Sequence, residues 1–292
     1  MVIATLIAAD RLSRGDISTA RDVLAACGCI PQPERWLDVG VAADIPFAGP
    51  LTGAAEAIEH ALPRIDVAVQ AEQTRAKRLL VADMDSTMIS VECIDELADY
   101  AALKAEVAAI TEQAMAGVLD FEAALRARVR LLRGLPSAII DRCHEERVRL
   151  TPGARTLVQT VRMGGARCVL VSGGFTRFAD PVAATIGFHR AVANVLEVDE
   201  GRLSGEVQPP IVDAEAKRAT LVQEARALGL GRPDILAIGD GANDIPMLEA
   251  AGLGIAYHAK PAAQAAADVR IRNGDLSSVL YVLGYPREAW NC

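Results

Sequence analysis

Three features of the sequence predict an α/β protein built on a doubly wound parallel sheet. Short continuous apolar runs recur at 79–82, 166–171, 235–238 and 254–257, and such runs fit strands buried on both faces. Segments with helical spacing separate them, at 155–163, 175–186, 214–228 and 244–251, which is the alternation of a doubly wound fold. Between the first two runs, residues 93–149 hold only helical patterns. An all-helical insertion is therefore expected as a cap over the carboxyl edge of the sheet. A small α+β domain is expected before this core. The division is 1–75 for the small domain and 76–292 for the larger one, with the core at 76–92 and 150–292 and the cap at 93–149.

The elements of the small domain follow from local pattern. Val2–Ala8 is strand-like, and 16–27 has helical spacing with Ile17, Ala20, Val23 and Leu24 on one face. Residues 36–41 alternate like a strand. A loop containing Pro46, Gly49, Pro50 and Gly53 leads into a helix over 54–62, and 65–69 closes with period two. This β-α-β-α-β order resembles the amino-acid-binding ACT-type fold, although it is short for one and the pattern places no fourth strand. Residues 71–77 are polar and Ala-rich and read as a linker. In the larger domain, 194–198 and 203–207 read as a hairpin.

Composition narrows the function classes. The chain has 292 residues, 51% hydrophobic and 23% charged, a globular balance rather than a disordered one. No apolar stretch much exceeds the size of Val2 to Ala9, well short of the ~20 residues of a membrane span. No basic n-region followed by a long apolar region opens the chain, so a cytoplasmic protein is expected. The formal charge of −8, from 38 acids against 30 bases, speaks against nucleic acid as the partner. A small anion remains compatible, because a local cation or metal outweighs the global field. The cysteines (Cys27, Cys29, Cys93, Cys143, Cys168, Cys292) form no C-x-x-C pair and are expected to be reduced packing residues. The histidines (His60, His144, His189, His258) are equally scattered, so no zinc site is expected. A homodimer is left open.

The chemistry-bearing residues fall at the ends of the apolar runs. Asp83-Met-Asp85-Ser-Thr87 follows the first run. Residues i and i+2 on extended backbone point the same way, so Asp83 and Asp85 should project together. Alone, such a pair reads equally well as a polar turn. Ser172-Gly173-Gly174 offers a hydroxyl and bare backbone N–H groups for a phosphate. Gly239-Asp240-Gly241-Ala242-Asn243-Asp244 places two more carboxylates at a strand-to-helix junction. Lys217 lies on the helix between these motifs and is one of only four lysines against 26 arginines. It reads either as a solvated helix residue or as a compact charge at a site. A parallel sheet gathers its strand ends on one edge, so these groups should converge. Carboxylate oxygens without histidine or cysteine favour Mg²⁺ over zinc. No G-x-x-x-x-G-K-[ST] run occurs, and Gly252-Leu-Gly254 lacks the third glycine of a dinucleotide fingerprint.

The motifs D-x-D-S-T, S-G-G, Lys and G-D-G-x-N-D, in this order, resemble the haloacid dehalogenase-like hydrolase superfamily over about residues 78–285. Within it they resemble the phosphoserine phosphatase family. The resemblance implies hydrolysis of O-phosphoserine to serine and phosphate through an aspartyl-phosphate, the last step of serine biosynthesis. It implies Asp83 as nucleophile and Asp85 as general acid and base. Mg²⁺ would be held by the Asp83 and Asp240 side chains and the Asp85 carbonyl, with Asp244 orienting that shell. Ser172, Gly173 and Lys217 would take up charge on the phosphoryl group.

Substrate choice is expected from the cap. On the helix over 121–133, Phe121, Leu125, Val129 and Leu132 form the apolar stripe, and Arg128 falls within about 20° of Phe121. A charge on a buried face needs a partner or a ligand, and a structural ion pair is the alternative to a ligand. The resemblance assigns the substrate carboxylate to Arg128 and its ammonium to Glu92. It also implies substrate contact for Asn243 and a pocket-lining place for Met115. Two other readings stay open. One is a related phosphatase for another small phosphomonoester, such as phosphohomoserine. The other is a binding protein whose N-terminal domain senses an amino acid above an inert phosphatase fold.

Overall fold

The computed structural model describes residues 1–115 and 118–291, with the side chains of Ala114 and Met115 left out. Two sheets organise them. The first runs through β1 (Val2–Ala8), α1 (Arg14–Ala26), β2 (Ile30–Pro31), β3 (Arg35–Asp38), β4 (Ala42–Ala48), α2 (Ala54–Ala61) and β5 (Ile65–Ala71). It is antiparallel, in the order β2-β4-β1-β5, with β3 also on β4. Counting β2 and β3 as one interrupted strand, this is a βαββαβ unit. Ser13 and Asp16 form a capping box that starts α1.

The strand that pattern did not place is β4, inside the segment expected to be a loop around Pro46. Proline normally argues against an inner strand, because it has no N–H to donate. Here Pro46 faces Gln32, in the gap between β2 and β3, and its carbonyl accepts from the Gln32 N–H at 2.7 Å. The missing donor thus falls where the neighbouring strand is already interrupted.

The second sheet begins with β6 (Leu79–Ala82). After the cap and α7 (Ala154–Met163) come β7 (Arg167–Phe175), α8 (Thr176–Ile186), β8 (Arg190–Asp199) and β9 (Arg202–Gln208). Then follow α9 (Ala214–Ala227), β10 (Ile235–Gly239), α10 (Ile245–Ala250), β11 (Leu253–Tyr257), α11 (Pro261–Ala266), β12 (Val269–Ile271) and α12 (Ser278–Val282). The order is β12-β11-β10-β6-β7-β8-β9, parallel throughout except for β9 on β8. All four apolar runs are strands; β12 is one that the pattern did not signal. Alternate residues of the runs serve opposite faces. Leu80, Ala82, Leu170 and Ile238 join one apolar cluster, and Leu79, Val81, Val171 and Ala237 join the other. Chain order reverses about β6, with β7 on one side and β10 on the other, so a crevice opens at its carboxyl end.

The cap comprises α3 (Cys93–Tyr100), α4 (Lys104–Met115), α5 (Phe121–Leu131) and α6 (Ala138–Arg147). Its two connections pair with each other: Ser90 N–H donates to Arg149 O and Thr151 N–H to Met88 O, both at 3.0 Å. The turn after α5 is also bonded to the β8–β9 hairpin, through Gly134 N–H to Leu203 O at 2.8 Å and Ser137 N–H to Gly201 O at 2.9 Å. Among the described residues, no helix is long and apolar enough to cross a membrane. The five described cysteines are free, and Cys292 lies outside the described residues.

The segment 71–77 is tied down rather than loose. The buried Arg75 pairs with Asp44 at 2.5 Å and donates to the carbonyls of Tyr281 and Val282 at 2.7 and 3.1 Å. Nearby, the fully buried Asp66 accepts from the N–H groups of Arg272, Asn273 and Gly274. Charge in this segment satisfies carbonyls of the second sheet's last helix, which composition alone reads as solvation. Removing one partner of a buried pair leaves the other charge uncompensated. Arg75→Met should therefore lower unfolding stability by about 3–5 kcal/mol in denaturant titration, and a loss under about 1 kcal/mol would contradict this account.

Candidate active site

The crevice beyond β6 is where the first carboxylate stands. Asp83 N–H continues the ladder by donating to Ile238 O at 2.9 Å, and the chain then turns sharply through Ser86 at φ +55°. Asp83 is buried, and its Oδ1 accepts from Met84 N–H at 2.8 Å. Asp85 lines the same pocket, half-buried, with Oδ1 accepting from Cys93 N–H at 3.3 Å at the start of α3. The two carboxylates thus share a cavity but have different neighbours.

Lys217 comes up from beneath. It is 1% exposed, with Nζ 2.7 Å from Asp83 Oδ1 and 2.8 Å from Asp244 Oδ1. The reading of Lys217 as a solvated helix residue is therefore wrong. The helix that carries it, α9, is started by Asp213, whose Oδ1 accepts from Ala216 N–H at 2.8 Å. Asp244 is fully engaged, its Oδ2 accepting from the N–H groups of Asp240 and Gly241 at 3.0 Å each. Thr87, within the first motif but given no role by it, donates to Asp240 Oδ1 at 3.3 Å.

The buried Lys217 ammonium pairs with Asp83 and Asp244, while Asp240 crowds the same cluster, so the acids are strained toward their neutral forms. Burial, then Asp244, pushes the Asp83 carboxyl well above its usual range, against the pull of Lys217. Burial, Asp244 and Glu92 raise Asp240 to about 6. Burial and Glu92 raise Asp85 to about 7. Burial works against the charge on Lys217, yet Asp83 and Asp244 hold it above the ordinary lysine value. Carboxylate oxygens of Asp83, Asp240 and Asp244 lie within 4.8 Å of one another. With Asp244 already occupied by Lys217 and two amides, Asp83 and Asp240 are the acids free to hold a cation. Hard oxygen donors in this number suit a divalent ion.

The other wall is built from β7 and the cap. The β7–β8 register breaks between Val171 and Phe175, turning the Ser172-Gly173-Gly174 backbone into the pocket. A Cβ on Gly174 would lie 2.9 Å from Asp85 Oδ2, and one on Gly173 would lie 3.1 Å from the Phe121 ring. Glycine is therefore what allows acid and cap so close to this backbone. Phe121, Leu125 and Arg128 line the pocket from α5, with Ile94 from α3 and Phe175 from β7. Glu92 accepts from Ser86 Oγ at 2.6 Å. Arg128 donates to Ala124 O at 3.3 Å and, among the described residues, makes no ion pair, whereas Arg126 pairs with Glu122 at 2.8 Å. Burial lowers the Arg128 pKa, with Asp95 and Glu92 opposing.

The structure thus brings Asp83, Asp85, Glu92, Arg128, Ser172, Gly173, Asp240 and Asn243 around one pocket, with Lys217 and Asp244 under its floor. The Met115 side chain lies outside the described residues. Sequence reasoning missed Phe175 and Lys260, which also line the pocket. The scarcity of lysine pointed to Lys260 as much as to Lys217.

A family model for haloacid dehalogenase-like hydrolases matches residues 80–249, the span that contains every one of these groups except Lys260. The chain belongs to this family. It is 47% identical to the phosphoserine phosphatase of Streptomyces coelicolor over 234 residues, covering 80% of this chain and 57% of that protein. It is also 47% identical to the Polaromonas phosphoserine phosphatase over 208 residues, covering 70% of this chain and 88% of that one. The structure of a probable phosphoserine phosphatase from Vibrio cholerae aligns with a TM-score of 0.81 at 34% identity, over 99% of this chain and 88% of that one. The chain thus spans less than two thirds of the Streptomyces protein.

A cation entering this hydrolase site must displace any proton held by its acids. Asp240, raised to about 6, is protonated below that pH and ionised above it. Titrating the protein with Mg²⁺ in a calorimeter should show proton release. Affinity should weaken by up to about ten-fold per pH unit below 6, and Mg²⁺ should raise Tm at pH 7. Affinity that is flat between pH 7 and 5 would contradict the assignment of Asp240.

Proposed function

We propose that this protein is a phosphoserine phosphatase, a phosphoric monoester hydrolase releasing serine and phosphate from O-phosphoserine. The observation that carries the reading is a pairing of opposites in one pocket. Glu92 and the guanidinium of Arg128, which makes no ion pair among the described residues, open onto the space that Asp83, Ser172 and Gly173 also line. A substrate with an ammonium, a carboxylate and a phosphate on a three-carbon frame complements that set. The two relatives named above, both phosphoserine phosphatases, support the same reading.

In the first step Asp83 attacks phosphorus with a carboxylate oxygen, and the bond from phosphorus to the seryl oxygen breaks. Asp85 in its acid form gives its proton to that oxygen, a task suited to a group poised near neutrality. In the second step Asp85, now a carboxylate, takes a proton from water as the water oxygen attacks the aspartyl-phosphate. Phosphate leaves, and Asp83 is regenerated. The Ser172 hydroxyl, the Gly173 amide and Lys217 meet the charge on the transferring phosphoryl oxygens. Asp83, Asp240 and the Asp85 carbonyl would hold Mg²⁺, with Asp244 steadying them, and the ion would supply charge neutralisation at the phosphoryl group. Arg128 takes the substrate carboxylate, while Glu92 and Asn243 take its amino end.

The core, residues 76–92 and 150–292, thus handles phosphoryl transfer and holds the amino end of the substrate, and the cap, 93–149, supplies Arg128 for the carboxylate. The reading includes a cytoplasmic location and leaves homodimerisation open.

A phosphate-release assay over small phosphomonoesters, with and without Mg²⁺, tests this. Asp83→Asn should lower kcat by about 10³-fold or more, and activity surviving that change would remove the covalent mechanism. Arg128→Ala should raise KM for phosphoserine by about 10²-fold while leaving an aryl phosphate nearly unaffected. Equal losses on both substrates would favour another phosphomonoester, such as phosphohomoserine.

A further inference from the structure

Asn194, on β8, has a fully buried side chain and faces Phe175 in the register with β7. None of the motifs includes it. Its Nδ2 donates to the Gly173 carbonyl at 2.8 Å, and its Oδ1 accepts from Val212 N–H at 2.8 Å. These partners fix the amide's orientation, because a carbonyl only accepts and an N–H only donates. The Gly173 carbonyl and the Gly174 N–H belong to one planar trans peptide and point in opposite directions. With the carbonyl held by Asn194, the N–H is directed at Ser172 Oγ, 2.9 Å away. A hydroxyl that accepts from the backbone keeps its own proton for another acceptor, and Ser172 lines the pocket. The second bond of Asn194 reaches Val212, next to Asp213, the residue that starts the helix of Lys217.

We propose that Asn194 is a positioning residue for phosphoryl transfer. By gripping the Gly173–Gly174 peptide it turns Ser172 into a donor toward the phosphoryl oxygen. The proposal rests on the phosphatase reading but not on which phosphomonoester is cleaved.

The test uses the Mg²⁺-loaded full chain, phosphoserine and an aryl phosphate, and the variants Asn194→Ala, Ser172→Ala and their combination. Asn194→Ala should lower kcat by about 10- to 10²-fold on both substrates, with KM within about three-fold. In the Ser172→Ala background the same change should cost less than about three-fold, because its route of action is already gone. Losses that multiply in the double variant would overturn the proposal, as would a loss on phosphoserine alone or an unchanged kcat with only a lowered Tm. Should Asn194→Ala not give a cooperative melt, Asn194→Ser carries the same cycle. A wild-type protein that cleaves neither ester would refute the phosphatase reading itself, which separates the two failures.

Discussion

Three buried carboxylates cluster where the central strands end, with one buried ammonium paired to two of them, and the site follows from that imbalance. A carboxylate taken out of water costs several kcal/mol unless it is paired and hydrogen-bonded. Asp244 meets that condition through Lys217 and two backbone amides. Asp83 meets it on one oxygen, and Asp240 has the Thr87 hydroxyl and the charge of Lys260 nearby. The remaining negative charge is what a divalent ion and a phosphoryl group would together resolve. Two apolar clusters, one on each face of the sheet, hold this unfavourable arrangement in place.

In the proposed reading the cap contributes recognition without disturbing that balance. It meets the core at several places: the paired connections at Ser90 and Thr151, the bonds to the β8–β9 hairpin, the contact of Phe121 with Gly173, and α6 on α8 through the Asp141–Arg177 pair. Glu92 stands at the first of these and is bonded to Ser86 of the core turn, so one recognition group is shared between core and cap. Arg128 belongs wholly to α5 and reaches the pocket from the far side. In the proposed reading the phosphoryl chemistry sits on rigid strand ends, while Arg128 selects the substrate from a cap helix.

Much of the site was legible because each motif follows a continuous apolar run, and a parallel sheet brings such ends to one edge. Arg128 was legible from helical spacing, since a cation inside an apolar stripe must be explained. What escaped notice had no local signal. Asn194 is one polar residue in an ordinary strand, and only the break in the β7–β8 register puts it beneath Gly173. Strand β4 was hidden by Pro46, whose missing donor falls where the neighbouring strand is interrupted at Gln32. The 71–77 segment looked like linker because charge usually means solvent, whereas Arg75 is buried against Asp44 and two carbonyls.

By itself the sequence determined which residues sit at strand ends, which helix face is apolar, and where the all-helical insertion lies. These are consequences of short-range periodicity, which a single segment carries in full. Only tertiary structure decided that Lys217 is buried between two acids, that Asp244 serves the backbone rather than the open pocket, and that Arg128 makes no ion pair among the described residues. Burial and pairing depend on what distant segments bring to the same point, and no stretch of local pattern contains that information.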